Sequence, residues 1–416
     1  MKKIGLFLFG ICFALQMVAQ EQNYFTNPVI RGDVPDPSVI RIEDTYYATG
    51  TSSEWAPFYP MFTSKDLVNW KQVGHVFTKQ PSWTSNSFWA PELFYHNNKV
   101  YCYYTARQKS TGISYIGVAT SDSPLHEFTD HGPIVEYGKE AIDAFIYDDN
   151  GQLYISWKAY GLDTRPIELL GCKLSADGLH LDGEPFTLLV DEKGIGMEGQ
   201  YHFKEGDYYY IVYAAHGCCG PSSDYDVYVA RARNYGGPYE KYSGNPILHG
   251  GEGDYKSCGH GTVVRTSDGR MFYMCHAYLK GDGFFIGRQP ILQEMEMTDD
   301  HWVRFKTGNL AIAEQPIPFV GTKQEPLSDF EDNFKGNQLK VDWTWNYPYS
   351  DIHAVLKKGK LFLSGTPKNN NKYGTALCLR PQSPQYSCET KVINTGKGLK
   401  GLTLYGDDKN LIAWGI

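Results

Sequence analysis

The stretch GMEGQYHFKEGDYYYIVYAAHG, residues 196–217, spells out a β-hairpin. A titratable residue beside glycine opens it, apolar and polar residues then alternate, the chain turns at Glu205-Gly206, and an aromatic-rich strand returns. Four other stretches share the pattern: PDPSVIRIEDTYYATG (35–50), APELFYHNNKVYCYYTA (90–106), AIDAFIYDDNGQLYISWKAYG (141–161) and CGHGTVVRTSDGRMFYMCHAYL (258–279). Their leading residues are Asp36, Glu92, Asp143, Glu198 and His260, at intervals of 51 to 62 residues. Between them lie further strand-like runs, such as PMFTSKDLVNWKQVG (60–74) and SYIGVATSDSPLHEF (114–128), which would complete units of four short strands. Repetition of this kind is propeller spacing, and five units predict a five-bladed β-propeller over residues 23–320.

The propeller has a chemical consequence. The first strand of each blade lines the central channel, so equivalent positions meet around one axis. Four carboxylates and one histidine are therefore expected to converge at one channel end. Converging like charges are costly unless protons, cations or substrate groups compensate them, which makes such a cluster a site rather than scaffold.

The periodicity changes after Pro318. LSDFEDNFKGNQLKVDWTWNYPYSD (327–351), KLFLSGTP (360–367), SCETKVI (387–393), KGLTLYG (400–406) and NLIAWGI (410–416) are short alternating strands with polar turns. They predict a truncated β-sandwich domain over 327–416, so the whole chain is read as all-β. At the other end, MKKIGLFLFGICFALQMVAQ (1–20) sets two lysines before an apolar run and small or polar residues after it, which reads as a secretory signal peptide. Nothing later is long and apolar enough for a membrane span, and an exported, periplasmic or extracellular protein is expected.

The net charge of −8 without a basic stripe argues against nucleic acid and anionic membrane as partners. The 31 tyrosines suit stacking against sugars, but tyrosine-rich strands need no ligand. Eight of the nine cysteines lie beyond the leader, and none falls in a C-x-x-C pair, so a thiolate zinc site is not expected. Cys218 and Cys219 are adjacent and could pair with each other, pair elsewhere or stay free.

On NPVIRGDVPDPSVI (27–40), WAPELF (89–94), IDAFIYDDNGQLYISW (142–157), MEGQYHFKEGDYYYIVYA (197–214), GGPYEKYSGNPIL (236–248) and GHGTVVRTSDG (259–269), the chain resembles glycoside hydrolase family 43. The resemblance implies an inverting exo-glycosidase that releases β-xylose or α-L-arabinofuranose from pentose-containing polysaccharides such as xylan, arabinoxylan or arabinan. It assigns Asp36 as general base, Glu198 as general acid and Asp143 as the group that keeps the acid protonated. It also suggests Trp89, Glu92 and Arg288 as substrate-binding residues. No cofactor is required for the chemistry, and a structural calcium ion in the channel, reached through water from His260, is allowed for. Two departures from the family pattern are Ala144 and Gln200, each where the family commonly carries proline. Asp33 is expected to cap or brace the turn before Asp36, and His216 could approach the pocket rim. The competing expectations are an endo-acting arabinan-cleaving enzyme and a carbohydrate-binding propeller without catalysis.

Overall fold

The structure is a computed structural model and describes residues 23–160, 166–394, 396, 398–407 and 409–415. The expected leader, residues 1–20, lies outside the described residues. Five four-stranded antiparallel sheets follow one another along the chain. Their strands are Ser38–Ile42, Thr45–Thr49, Phe58–Ser64 and Lys71–Phe77; then Trp89–His96, Lys99–Arg107, Ser114–Ser121 and Thr129–Val135; then Ala141–Asp149, Gln152–Ala159, Glu168–Lys173 and Phe186–Val190. The fourth sheet is Met197–Glu205, Tyr208–Ala215, Asp226–Ala232 and Glu240–Lys241, and the fifth Tyr255–Arg265, Met271–Leu279, Gln289–Met297 and Val303–Phe305. Each first strand packs against the first strands of the two neighbouring sheets, and the fifth returns to the first. The result is the five-bladed propeller that the repeat predicts.

The core is not one mass but five apolar clusters, one at each interface between blades. That explains the strand composition. The second strand of a blade is covered on both faces, so Tyr208–Ala215 (YYYIVYAA) is apolar and aromatic along its length and buried beyond its first residue. Polar side chains are left for the channel.

No blade mixes strands from the two ends of the propeller segment. The ring is closed instead by a clasp, in which Tyr24–Thr26 pairs with Glu314–Pro316. Asn27 reinforces it, donating from Nδ2 to the Leu292 carbonyl at 2.9 Å and accepting the Leu292 N–H at 2.8 Å. Beyond the propeller the chain stays all-β among the described residues, with hairpins Ser350–Leu356/Leu361–Pro367 and Gly401–Tyr405/Leu411–Gly415. Trp345–Asn346 pairs with Trp55–Ala56 of the first blade, so this region is docked on the propeller. Among the described residues the one helical element is a single 3-10 turn, Phe284–Ile286, and no helix is long and apolar enough to cross a membrane.

Candidate active site

The channel end is shaped by backbone irregularities. Four inner strands carry a register shift near their start, between Trp89 and Glu92, Ile142 and Phe145, Glu198 and Tyr201, and Gly259 and Gly261. Within each sits a residue with positive φ: Ala90 (41°), Asp143 (58°), Gly199 (60°) and His260 (48°). In the first blade Asp36, at 56°, precedes the inner strand. A bulge with a left-handed residue re-aims side chains and marks functional backbone. This corrects the sequence alignment of the repeats. The equivalent positions are Asp36, Ala90, Asp143, Gly199 and His260, so three of the five are titratable, not all. Glu198 still borders the cluster because it is the neighbour of Gly199. Glu92 lies two residues past Ala90, where pairing resumes, and joins a different environment.

Asp36, Asp143 and His260 meet directly. His260 Nδ1 is 3.5 Å from Asp36 Oδ1 and 3.7 Å from Asp143 Oδ2. Gly199 leaves room for this histidine, since a Cβ there would lie 2.6 Å from His260 Cγ. Asp36 is held from several sides. Thr51 donates to Oδ2 at 2.6 Å and accepts the Ala90 N–H at 2.7 Å, tying the first blade to the second. His276 Nδ1 is 3.1 Å from both the amide nitrogen and Oδ1 of Asp36. Arg288 Nη1 is 3.4 Å from Oδ1. Burial opposes the Asp36 charge, but Arg288, His260 and His276 outweigh it and hold the carboxyl well below the usual range. Asp36 is thus an ionised, buried carboxylate. Burial pushes His276 down to about 4, although Asp36 pulls it upward.

The second group is on the third and fourth blades. Lys158 Nζ is 2.6 Å from Glu198 Oε2, and Tyr225 donates to Oε1 at 2.9 Å. Asp143 Oδ2 accepts the Gly199 N–H at 3.1 Å, and Gln200 Nε2 donates to the Asp143 carbonyl at 2.6 Å. Gln200 therefore secures the Asp143 bulge by a bond that proline could not make. Burial and the charges of Glu198 and Asp36 push the Asp143 carboxyl up to about 7, against the pull of His260 and Lys158. Burial also opposes the Glu198 charge, yet Lys158, His260 and Tyr225 hold it below the ordinary range. Lys158 and Tyr225 both stabilise an ionised Glu198, so the two carboxyls are pushed in opposite directions.

The other expected residues divide. Arg288 is in the cluster, as described. Its loop is braced by Asp33, whose Oδ1 accepts the Arg288 N–H at 2.8 Å, so Asp33 is a bracket for Arg288 more than a cap for the Asp36 turn. Gly287 permits this, since a Cβ there would collide with Asp33. Trp89 is half-buried with the Arg107 guanidinium over its ring at 5.9 Å, so it is not a blade-core tryptophan. Glu92 is pushed up to about 8 by burial, with Ser38 partly offsetting, and is a neutral carboxyl set apart from the Asp36 cluster. His216 pairs with Tyr228 OH at 2.9 Å and stays outside the cluster. Cys218 and Cys219 are joined to each other. Among the described residues no group of three or more His, Cys, Asp or Glu side chains is arranged to hold a metal. The donors at His260 therefore do not by themselves fit calcium, which takes six to eight oxygens. Sequence reasoning missed Lys158, Thr51, Tyr225 and His276. A lysine inside the apolar run YISWKA and a histidine inside FYMCHAY were the available signals.

A family model described as glycosyl hydrolases family 43 matches residues 25–303, the whole ring of blades. The chain belongs to glycosyl hydrolase family 43. It is therefore a glycoside hydrolase, in a family whose chemistry calls for no cofactor. Among curated relatives, a xylan 1,3-β-xylosidase from a Vibrio species is 28% identical over 91% of this chain and 76% of its own length. A non-reducing end α-L-arabinofuranosidase of Bacteroides ovatus is 28% identical over 98% and 78% respectively. Among solved structures, a mutant family 43 protein of Bacillus licheniformis superposes with a TM-score of 0.76 at 24% identity, over 94% of this chain and 78% of that one, which shows the shared fold.

Proposed function

We propose that this protein is an inverting, exo-acting glycoside hydrolase that releases β-xylose or α-L-arabinofuranose from xylan, arabinoxylan or arabinan. The observation that carries the reading is the division of labour between two buried carboxyl centres. Asp36, in the first blade, is ionised under Arg288, His260 and His276. Asp143 and Glu198, on the third and fourth blades, form a pair whose raised member holds a proton up to about pH 7. Inverting hydrolysis asks for such an arrangement: a carboxylate on one face of the sugar to take a proton from water, and a proton source on the other for the leaving oxygen, with space for the water between. Asp36 is the base. Glu198 delivers the proton, and Asp143 tunes its affinity for that proton. Arg288 orients Asp36 and reaches toward sugar hydroxyls, while Trp89 offers a partly open ring at the mouth. The names of the xylosidase and arabinofuranosidase relatives support a terminal pentose as the substrate unit. The sequence of residues 1–20, read as a secretory signal peptide, supports export to the periplasm or beyond.

The test is hydrolysis of nitrophenyl β-xyloside, nitrophenyl α-L-arabinofuranoside, xylobiose and arabinobiose by the unmodified protein and two variants. Asp36→Asn is expected to lower kcat/KM on every substrate by about 10²–10⁴-fold. Glu198→Ala is expected to cost far more on the disaccharides than on nitrophenyl glycosides, whose leaving groups need little protonation. An unmodified protein that binds xylan but hydrolyses none of the four substrates would make it a carbohydrate-binding propeller instead.

A further inference from the structure

Lys158 is the least expected member of the site. It lies on Gln152–Ala159, a strand buried on both faces between blades, and its side chain is 3% exposed. A buried ammonium is expensive unless it is paired and hydrogen-bonded. Its cross-strand partner is Ile142, the residue before Asp143, so the register aims the side chain at the bulge. There it contacts Glu198 Oε2 at 2.6 Å. The other charged or titratable groups facing Lys158 are Asp143 and Glu140, and those facing Glu198 are Tyr225, His260 and Asp143. Among the described residues facing Glu198, Lys158 is the one permanent cation named.

We propose that Lys158 is a positioning residue that fixes the Glu198 carboxyl and sets the pH at which the Asp143–Glu198 pair loses its catalytic proton. This rests on Glu198 being the proton donor. The step balances. The proton held by the Asp143–Glu198 pair passes from Glu198 to the glycosidic oxygen as the C–O bond breaks. Water adds to the anomeric carbon and loses its proton to Asp36. Solvent then takes the proton from Asp36 and returns one to the pair. The lysine moves no proton itself. Its charge sets the pH at which the single proton of the pair is lost.

The experiment is the pH dependence of kcat/KM on xylobiose or arabinobiose for the unmodified enzyme, Lys158→Met and Lys158→Arg. Removing the positive charge makes the pair hold its proton more tightly. The alkaline limb of Lys158→Met is therefore expected to move up by about 1–3 pH units, while Lys158→Arg keeps the original limb. A Lys158→Met enzyme that is slower with an unmoved limb would overturn the proposal, as would equal shifts in both variants. Should Lys158→Met fail to fold, infrared titration decides on the remaining proteins. The protonated-carboxyl absorption that the Asp143→Asn, Glu198→Gln double variant lacks is expected to be lost at a higher pH in Lys158→Gln than in the unmodified enzyme, and loss at the same pH would overturn the proposal. Absence of hydrolysis by the unmodified enzyme would strike the glycosidase reading itself. An active enzyme with an unmoved limb would strike the role of Lys158 alone.

Discussion

Arg288 Nη1 stands 3.4 Å from Asp36 Oδ1, with both side chains largely closed to solvent. The two residues are 252 positions apart in sequence and are brought together by closure of the fifth blade on the first. The contact makes a buried carboxylate usable as a base, because burial alone would favour its protonated form. Arg288→Met is therefore expected to raise the Asp36 carboxyl toward the ordinary range or above. A group needed in its ionised form then becomes protonated as pH falls, so the variant should acquire an acid limb in kcat/KM that the unmodified enzyme lacks. Rate measurements between pH 4 and 7 check this, and a variant that is equally slow across that range would show Arg288 acting on the sugar alone.

The unmodified enzyme should show a flat profile in mildly acid solution and a fall above about pH 7. Asp36 stays ionised throughout, so nothing is lost on the acid side. The Asp143–Glu198 pair loses its proton as pH rises past about 7, and the rate should then drop tenfold per pH unit on disaccharides. Aryl glycosides with good leaving groups should show a much weaker fall.

Gly199→Ala should be disabling although it adds one methyl group. The new Cβ would sit 2.6 Å from His260 Cγ, at a backbone φ of +60°. It would push His260 away from Asp36 and Asp143, and the strained φ alone costs about 1 kcal/mol or more. A lowered melting temperature together with lost activity is the expected outcome, read by calorimetry and rate assay.

Arg380 links the region beyond the propeller to the site. Its Nη1 donates to the Asp33 carbonyl at 3.3 Å and its Nη2 to Gln72 Oε1 at 2.5 Å, while the Asp33 side chain holds the Arg288 amide. Arg380→Met should loosen this bracket and raise KM more than it lowers kcat. Steady-state kinetics on xylobiose and arabinobiose check the split.

Asn27→Ala should open the ring clasp. The amide makes two buried hydrogen bonds to Leu292, and losing them leaves a backbone N–H and carbonyl without partners. The expected cost is about 2 kcal/mol or more in chemical denaturation, with the rate at the site of the still-folded enzyme nearly intact.

Five hairpins with good turn chemistry made the propeller legible, because strand alternation and turn residues are local properties. Asp36, Asp143 and His260 were legible for the same reason. The bulges were not. A one-residue register shift leaves the hydrophobic alternation nearly unchanged, so Glu92 and Glu198 looked equivalent to Asp36 when Ala90 and Gly199 occupy that place. Lys158 and His276 come from second strands, where burial on both faces hides any polar pattern. The opposite pulls on Asp143 and Glu198 depend on a lysine 40 residues from Glu198 in sequence, and no spacing rule reports it.

The central claim is a single displacement by water, with Asp36 as base and Glu198 as proton donor. It is tested most directly by proton NMR of the sugar released in the first turnovers, before mutarotation. An aryl β-xyloside should yield α-xylose first, and an aryl α-L-arabinofuranoside should yield the β-anomer. Release of the anomer that matches the substrate would contradict the claim, because it would require a covalent sugar intermediate on one of these carboxylates.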